Sequence, residues 1–451
     1  MKVARSAVLL LNSVFLIATT YSADPDLAAS PVNPVNGGPL TLQIAAGPQE
    51  AGSQVALFAA YPSTNPELFS WGNVDAQGQF TYFNPSIAPV NPAMGGGLGG
   101  TVLQVEAYGY NPATGEVWQS NVITLRVAEP EHYQDGIWSS GAEIQMMMTL
   151  GVGWEELYDE AQKSTKSPDL GDQNDDTDST VLAKALVYRA IGNEPGTDYR
   201  QEVIDACIKA IGTEGGGETL ALGRNLAPYV IAADLVGLPP AEEAEFKTWL
   251  ADVRHEVLAG RTLITTHEDR PNNWGTHAGA SRAAIAVYLG DQLELDRTAQ
   301  VFKGWVGDLS AYDGFDYGSD LSWQSDPAHP VGINPAGAKI DGHSVDGVLP
   351  DDQRRGGSFT WPPPKENYVY EALQGVLVQA LILYRAGYDT WNWEDRAILR
   401  AFHWLHDEAD YPAKGDDKWQ PWLVNWAYGT DFPAKEGAGH GKAVGWTDWT
   451  H

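Results

Sequence analysis

The chain has 451 residues, with 59 acidic against 28 basic side chains and a formal net charge of −31. A field of that sign excludes nucleic acid and anionic membrane as partners. An anionic substrate then needs a local cationic cleft, or a medium salty enough to screen charges at ~10 Å or less.

Residues 1–22 carry Lys2 and Arg5, the apolar run AVLLLNSVFLIATT and a small-residue end, the pattern of a secretory signal peptide. The run is shorter than the ~20 apolar residues of a membrane span, and no later stretch qualifies. A secreted or periplasmic chain is expected, with no membrane association after cleavage. Residues 23–38, rich in Pro, Ala and Asn, read as a linker. Over 39–130, short alternating runs such as LTLQIAA, QFTYF and TVLQVEAYGY are separated by Gly, Pro and Asn clusters, which predicts a small immunoglobulin-like β-sandwich. Its Trp71, Tyr82, Tyr108, Tyr110 and Trp118 either stack on sugars or pack internally.

From Glu131 to His451 the apolar period becomes helical. Helices are expected near 135–163, 178–192, 198–212, 219–236, 240–260, 273–289, 293–311, 365–387, 391–408 and 414–427. Pro239 and Pro240 fit a helix opening. Repeated helical hairpins without a self-similar sequence predict an α/α toroid, an incomplete barrel of helix pairs, so the fold class is mainly α behind a small β domain. The only cysteine, Cys207, lies in the apolar run VIDACIKAI. It excludes an intrachain disulfide and reads as a small buried hydrophobe. The acidic stretch 169–180 lacks the ligand spacing of an EF-hand and reads as a solvated loop capping the next helix.

Two stretches carry candidate chemistry. Residues 341–373 form a Gly-, Pro- and Asp-rich, non-helical segment that runs into an amphipathic helix after Pro362-Pro363-Pro364. It holds His343, Arg354, Arg355, Tyr368 and Tyr370 in a cation-poor chain, as an anion-binding segment would. In the second stretch a helix should start at Asn272 or Asn273 with Asn as N-cap, placing Asn273 and His277 on one face. Gly275, Ala278, Gly279 and Ala280 leave room for a bulky ligand there, although a capped, tightly packed helix would look the same. Arg224 and Asn225, ahead of another helical run, are a candidate subsite for a further sugar carboxylate or simply helix-terminal residues.

The pattern Asp346-Gly347-x-Leu349-Pro350, then Arg355-Gly356, then Tyr368 resembles the active-site segment of the alginate-lyase-like polysaccharide lyases. Pro271-Asn272-Asn273-Trp274-Gly275-Thr276-His277 is similar to the Asn-Asn motif opening an active-site helix in that superfamily. Within it, the chain looks most like polysaccharide lyase family 38, acting on glucuronan and alginate, over roughly residues 133–451. The resemblance implies β-elimination on a 4-linked uronate polymer without a metal or cofactor. Asn273, Arg355 and a histidine would neutralise the uronate carboxylate, and Tyr368 would move the protons. Its unperturbed pKa of ~10 calls for cationic neighbours such as Arg354 or Arg355. In the related lyases an Asn-His pair contacts the carboxylate. Here Trp274 follows Asn273, so His277 or His343 would take the histidine role. Asn272, Trp274 and Arg354 join the expected substrate contacts, and the protein is expected to be a monomer. Two other classes compete. One is an α/α-barrel glycoside hydrolase using carboxylates such as Asp346, Asp351 and Asp352, or Glu268 and Asp269. The other is a non-catalytic glycan-binding protein.

Overall fold

A computed structural model describes residues 26–30, 40–60, 67–77, 79–84, 102–126 and 136–451. The predicted signal peptide lies outside these residues. The chain divides into two compact units, Met1–Pro130 and Glu131–His451.

The first unit contains two antiparallel sheets. One orders β1 (Asp26–Ser30), β2 (Leu40–Ala45) and β5 (Gln79–Asn84). The other runs β4 (Glu67–Asn73), β3 (Gln54–Ala60), β6 (Val102–Tyr110) and β7 (Val117–Gln119), with β8 (Ile123–Arg126) also on β6. On β2 the buried Leu42 and Ile44 alternate with the exposed Gln43 and Ala45, the period-two pattern of a strand with one covered face. Asp26–Ser30 corrects the linker expectation. It pairs residue by residue with β2, and the Asn121 side chain both accepts from Leu27 N (2.6 Å) and donates to Leu27 O (3.0 Å). Of the aromatics, Tyr108 and Trp118 are buried while Trp71 is 73% exposed. A Cβ at Gly109 would sit 1.9 Å from the Trp118 ring, so this glycine makes room for the indole.

The second unit is helical: α1 (Gly141–Met146), α2 (Val152–Ala161), α3 (Thr177–Ile191), α4 (Tyr199–Ala210), α5 (Thr219–Val236), α6 (Pro240–Val253), α7 (Leu263–Asp269), α8 (Asn273–Leu289) and α9 (Gln292–Val306). A small hairpin of β9 (Lys339–Ile340) and β10 (His343–Ser344) follows, then α10 (Pro350–Gln353), α11 (Tyr368–Arg385), α12 (Trp393–His403), α13 (Gln420–Tyr428) and α14 (Thr447–Thr450). Packing runs from α2 to α3, α5, α8, α11, α13, α14 and back to α2. Outside this ring α4 flanks α3 and α5, α6 flanks α4 and α8, and α9 flanks α8 and α12. The fold is therefore a mainly helical α/α toroid whose last arc is short. Trp449 helps close it, its ring 5.3 Å from that of Trp154 and its Nε1 donating to Met148 O at 3.0 Å.

Burial explains the ring. Helices α5, α8 and α11 are buried along most of their length, as expected of helices enclosed by neighbours. Two glycines set how closely they approach. A Cβ at Gly223 would lie 2.8 Å from Ala278 N, and one at Gly375 2.4 Å from Thr276 C. Both backbones therefore press on α8 at residues 276–278. Cys207 is buried and free, and burial pushes its thiol pKa up.

The expected helices differ from the observed ones in several places. Residues 135–163 split into α1 and α2 around Gly151, whose φ of 93° suits glycine. Helices α7 and α14 were not foreseen, and the helix expected over 414–427 begins as a 3₁₀ turn at Gly415–Asp417 before α13. The central segment, expected to be non-helical, contains α10 and a 3₁₀ turn at Arg354–Gly356. Pro350 opens α10 and Asp351 and Asp352 occupy its first turn, both favourable start features.

Candidate active site

Asn272 caps α8, its side chain accepting from Trp274 N at 3.2 Å. The same side chain donates to Asp351 Oδ2 at 3.1 Å, and Asn273 N donates to Asp352 Oδ1 at 3.2 Å. The two acids at the start of α10 thus fasten the central segment to the start of α8. Asp352 is fully buried, and burial together with neighbouring Asp351 holds its pKa well above the usual carboxylate range. Asp351 also binds Arg354 Nε at 2.8 Å.

This junction borders a cleft of about 530 Å³. Asn273 and Trp274 enter it from α8, Arg224 from α5, Tyr368 and Glu371 from α11, and Arg355 from the central segment. The Arg355 guanidinium lies 4.2 Å over the Tyr368 ring, and Tyr368 is 41% exposed. Arg224, 7% exposed, meets Glu371 at 2.5 Å. Burial raises the Glu371 pKa against the pull of Arg224.

His277 is fully buried beside this pair. Burial, then the charge of Arg224, pushes its pKa well below the ordinary value, so the ring is neutral. Neither ring nitrogen makes a hydrogen bond of good geometry, and the Asn273 Oδ1 and Arg224 Nε atoms are likewise buried without a partner. Buried polar atoms in native proteins are seldom left unpaired. Asn273 and Arg224 thus each bring a polar atom that the protein leaves unpaired to the cleft wall, whereas His277 lies behind it.

Of the residues singled out in the sequence, Tyr368, Arg355, Asn273, Trp274 and Arg224 line the cleft. Asn272 and Arg354 stand behind it as bracing for α8 and α10. His343 stacks on Trp361 at 4.5 Å and does not line the cleft. Its strand pairing with β9 directs it there. Asn225 donates to Asp172 O at 2.7 Å, holding the acidic loop rather than facing a sugar. That loop, read as a solvated cap, contributes Gln173 and Asn174 to the cleft wall. Tyr370 is a core residue whose hydroxyl donates to Tyr411 O at 2.7 Å.

Sequence reasoning also missed Glu371 and Lys442, both cleft residues. Glu371 was within reach, lying one turn after Tyr368. Lys442 comes from a remote loop and had no local signal. The acids considered for hydrolysis are engaged elsewhere. Asp346 binds Arg400 at 2.6 Å, Glu268 binds Arg282 and Arg297, and Asp269 pairs with Arg261. Among the described residues, no group of three or more His, Cys, Asp and Glu side chains is placed to hold a metal ion.

No curated protein matches the chain. Among solved structures, it is similar to a family 76 glycoside hydrolase from a bovine Bacteroides thetaiotaomicron strain, at 11% identity over 90% of this chain and 85% of that one, with a TM-score of 0.30. A β-1,2-glucanase from Parabacteroides distasonis is similar at 11% identity over 80% of this chain and 54% of that one, TM-score 0.18. β-Glucuronidase 2 of Bacteroides uniformis aligns at 12% identity over 60% and 32%, TM-score 0.14. Residues 200–315, which span Arg224, Asn273, Trp274 and His277, match the family model described as alginate lyase.

Proposed function

We propose that this chain is a secreted polysaccharide lyase that cleaves 4-linked uronate polymers by metal-independent β-elimination. The observation that carries the reading is the convergence of Asn273, Arg355 and Tyr368, from three separate elements, on one cleft. The alginate lyase family match over 200–315 supports the reaction class. Removing the C5 proton of a uronate builds negative charge on its carboxylate, so donors that neutralise this carboxylate lower the barrier. Arg355 and the Asn273 amide serve that purpose. Tyr368 takes the C5 proton as the C4–C5 double bond forms, and returns it to O4 as the C4–O4 bond breaks. His277, fully buried and not lining the cleft, supports α8 behind Asn273 rather than touching the substrate.

One phenolic oxygen can reach both atoms only where H5 and O4 lie on the same side of the ring. This holds for β-linked glucuronate and mannuronate and fails for guluronate. Glucuronan or mannuronate-rich alginate is therefore the preferred substrate. The test is absorbance of the conjugated unsaturated product on polyglucuronate, polymannuronate and polyguluronate. Elimination on the first two and little on the third is expected, and a preference for polyguluronate would refute the single-tyrosine mechanism.

A second reading, glycoside hydrolysis, finds support in Glu371, a cleft carboxyl whose pKa burial raises, as suits a general acid. Its 2.5 Å contact with Arg224 favours a counter-ion role instead.

A further inference from the structure

We infer that Lys442 is a specificity-determining residue that binds a second uronate carboxylate, so that the cleft engages two acidic sugars at once. This rests on the lyase reading for the first carboxylate. The cleft has three cationic side chains, Arg224, Arg355 and Lys442. Arg224 is held by Glu371 at 2.5 Å and Arg355 lies on the Tyr368 ring. Among the described residues Lys442 has one ion pair, a loose one with Asp416 at 3.9 Å, and Glu371, which feels its charge, is already paired with Arg224.

The loop that presents Lys442 is firmly built. Lys442 N donates to Gln374 Oε1 at 2.5 Å, and Gln374 Nε2 donates to Asp417 Oδ1 at 2.9 Å. Gln420 Nε2 donates to the same oxygen at 2.8 Å, and Gln374, Asp417 and Gln420 are all buried. A Cβ at Gly441 would come within 2.3 Å of Trp419 Nε1 and 2.4 Å of Gln374 Oε1. A buried polar brace under a half-buried cation resembles a positioned ligand group more than a solvated surface lysine. It lines the same cleft as Asn273 and Arg355, the donors proposed for the first carboxylate, and its charge is felt at Glu371.

The test compares Lys442→Met and Lys442→Arg with the parent on β-1,4-linked glucuronate oligomers. Calorimetric binding is measured in a Tyr368→Phe background, with the same oligomers reduced at their carboxylates as a control. A charge-assisted contact removed from binding raises KM and Kd by about 10- to 100-fold. The expected result is that rise in Lys442→Met, with kcat falling less than KM rises. Lys442→Arg should recover most of the affinity, and the reduced oligomers should not distinguish the variants. Unchanged Kd in Lys442→Met would overturn the inference, as would equal losses on charged and reduced oligomers or failure of arginine to rescue. If no polymer undergoes elimination, the lyase reading falls, while the binding comparison still decides the role of Lys442.

Discussion

Replacing Arg355 by alanine separates catalysis from folding more cleanly than other changes in the cleft. Arg355 is exposed, and its guanidinium rests on the face of Tyr368 at 4.2 Å. An exposed cation–aromatic contact contributes ~0.5–1 kcal/mol, which in a domain of this size moves Tm by about 4 °C or less. Loss of one donor that stabilises developing charge lowers turnover by ~10²–10³, or ~2.7–4 kcal/mol of transition-state stabilisation. The two effects differ several-fold in free energy, so a folded but nearly inactive variant is the expected outcome. Arg355→Lys keeps the charge without the planar fork and should fall between. The assay is the initial rate of unsaturated-uronate absorbance, read beside a thermal melt of the same preparation. Near-normal turnover in a folded Arg355→Ala protein would refute the role, and a collapsed melt would show that the segment is structural.

Tyr368→Phe retains the ring beneath Arg355 and removes the proton-carrying oxygen, so activity should disappear while binding persists. Substantial activity in Tyr368→Phe beside a dead but folded His277→Ala would transfer the proton chemistry to the histidine. Gly375→Ala places a methyl 2.4 Å from the α8 backbone and should destabilise the helical unit by ~1–3 kcal/mol or more, measured by urea unfolding. Burial, then Asp416, raises the Asp417 pKa to about 8, against an unfolded carboxylate near ~4. Between those values the native state holds the extra proton, so stability falls as pH rises through the window. Asp417→Asn should therefore gain stability relative to the parent between pH ~5 and ~8 in paired unfolding titrations, and parallel curves would show that Asp417 is already ionised.

The helical ring was legible because helix period and hairpin punctuation are local, and the Asn272 cap is written in three consecutive residues. What failed needed long-range information. The strand at Asp26–Ser30 is stabilised by pairing with β2 and by Asn121, neither visible in its own composition. Tyr368, Arg355 and Asn273, singled out by the spacing of motif residues, line one cleft. His343 stacks on Trp361, a contact between residues far apart in sequence that no local pattern announces. Asn225 looked like a ligand, but its amide is engaged by a loop carbonyl 53 residues away in sequence. Lys442 and the Gln173-Asn174 wall reach the cleft only through tertiary folding, so composition offered no pointer to either.

The most direct measurement is the ultraviolet absorbance of the intact protein acting on polyglucuronate and polymannuronate, read together with the release of new reducing ends. β-Elimination through Tyr368 predicts that both signals rise in equal proportion, one unsaturated end for each new reducing end. Reducing ends appearing without absorbance would contradict it, and would assign hydrolysis to the cleft carboxylates around Glu371.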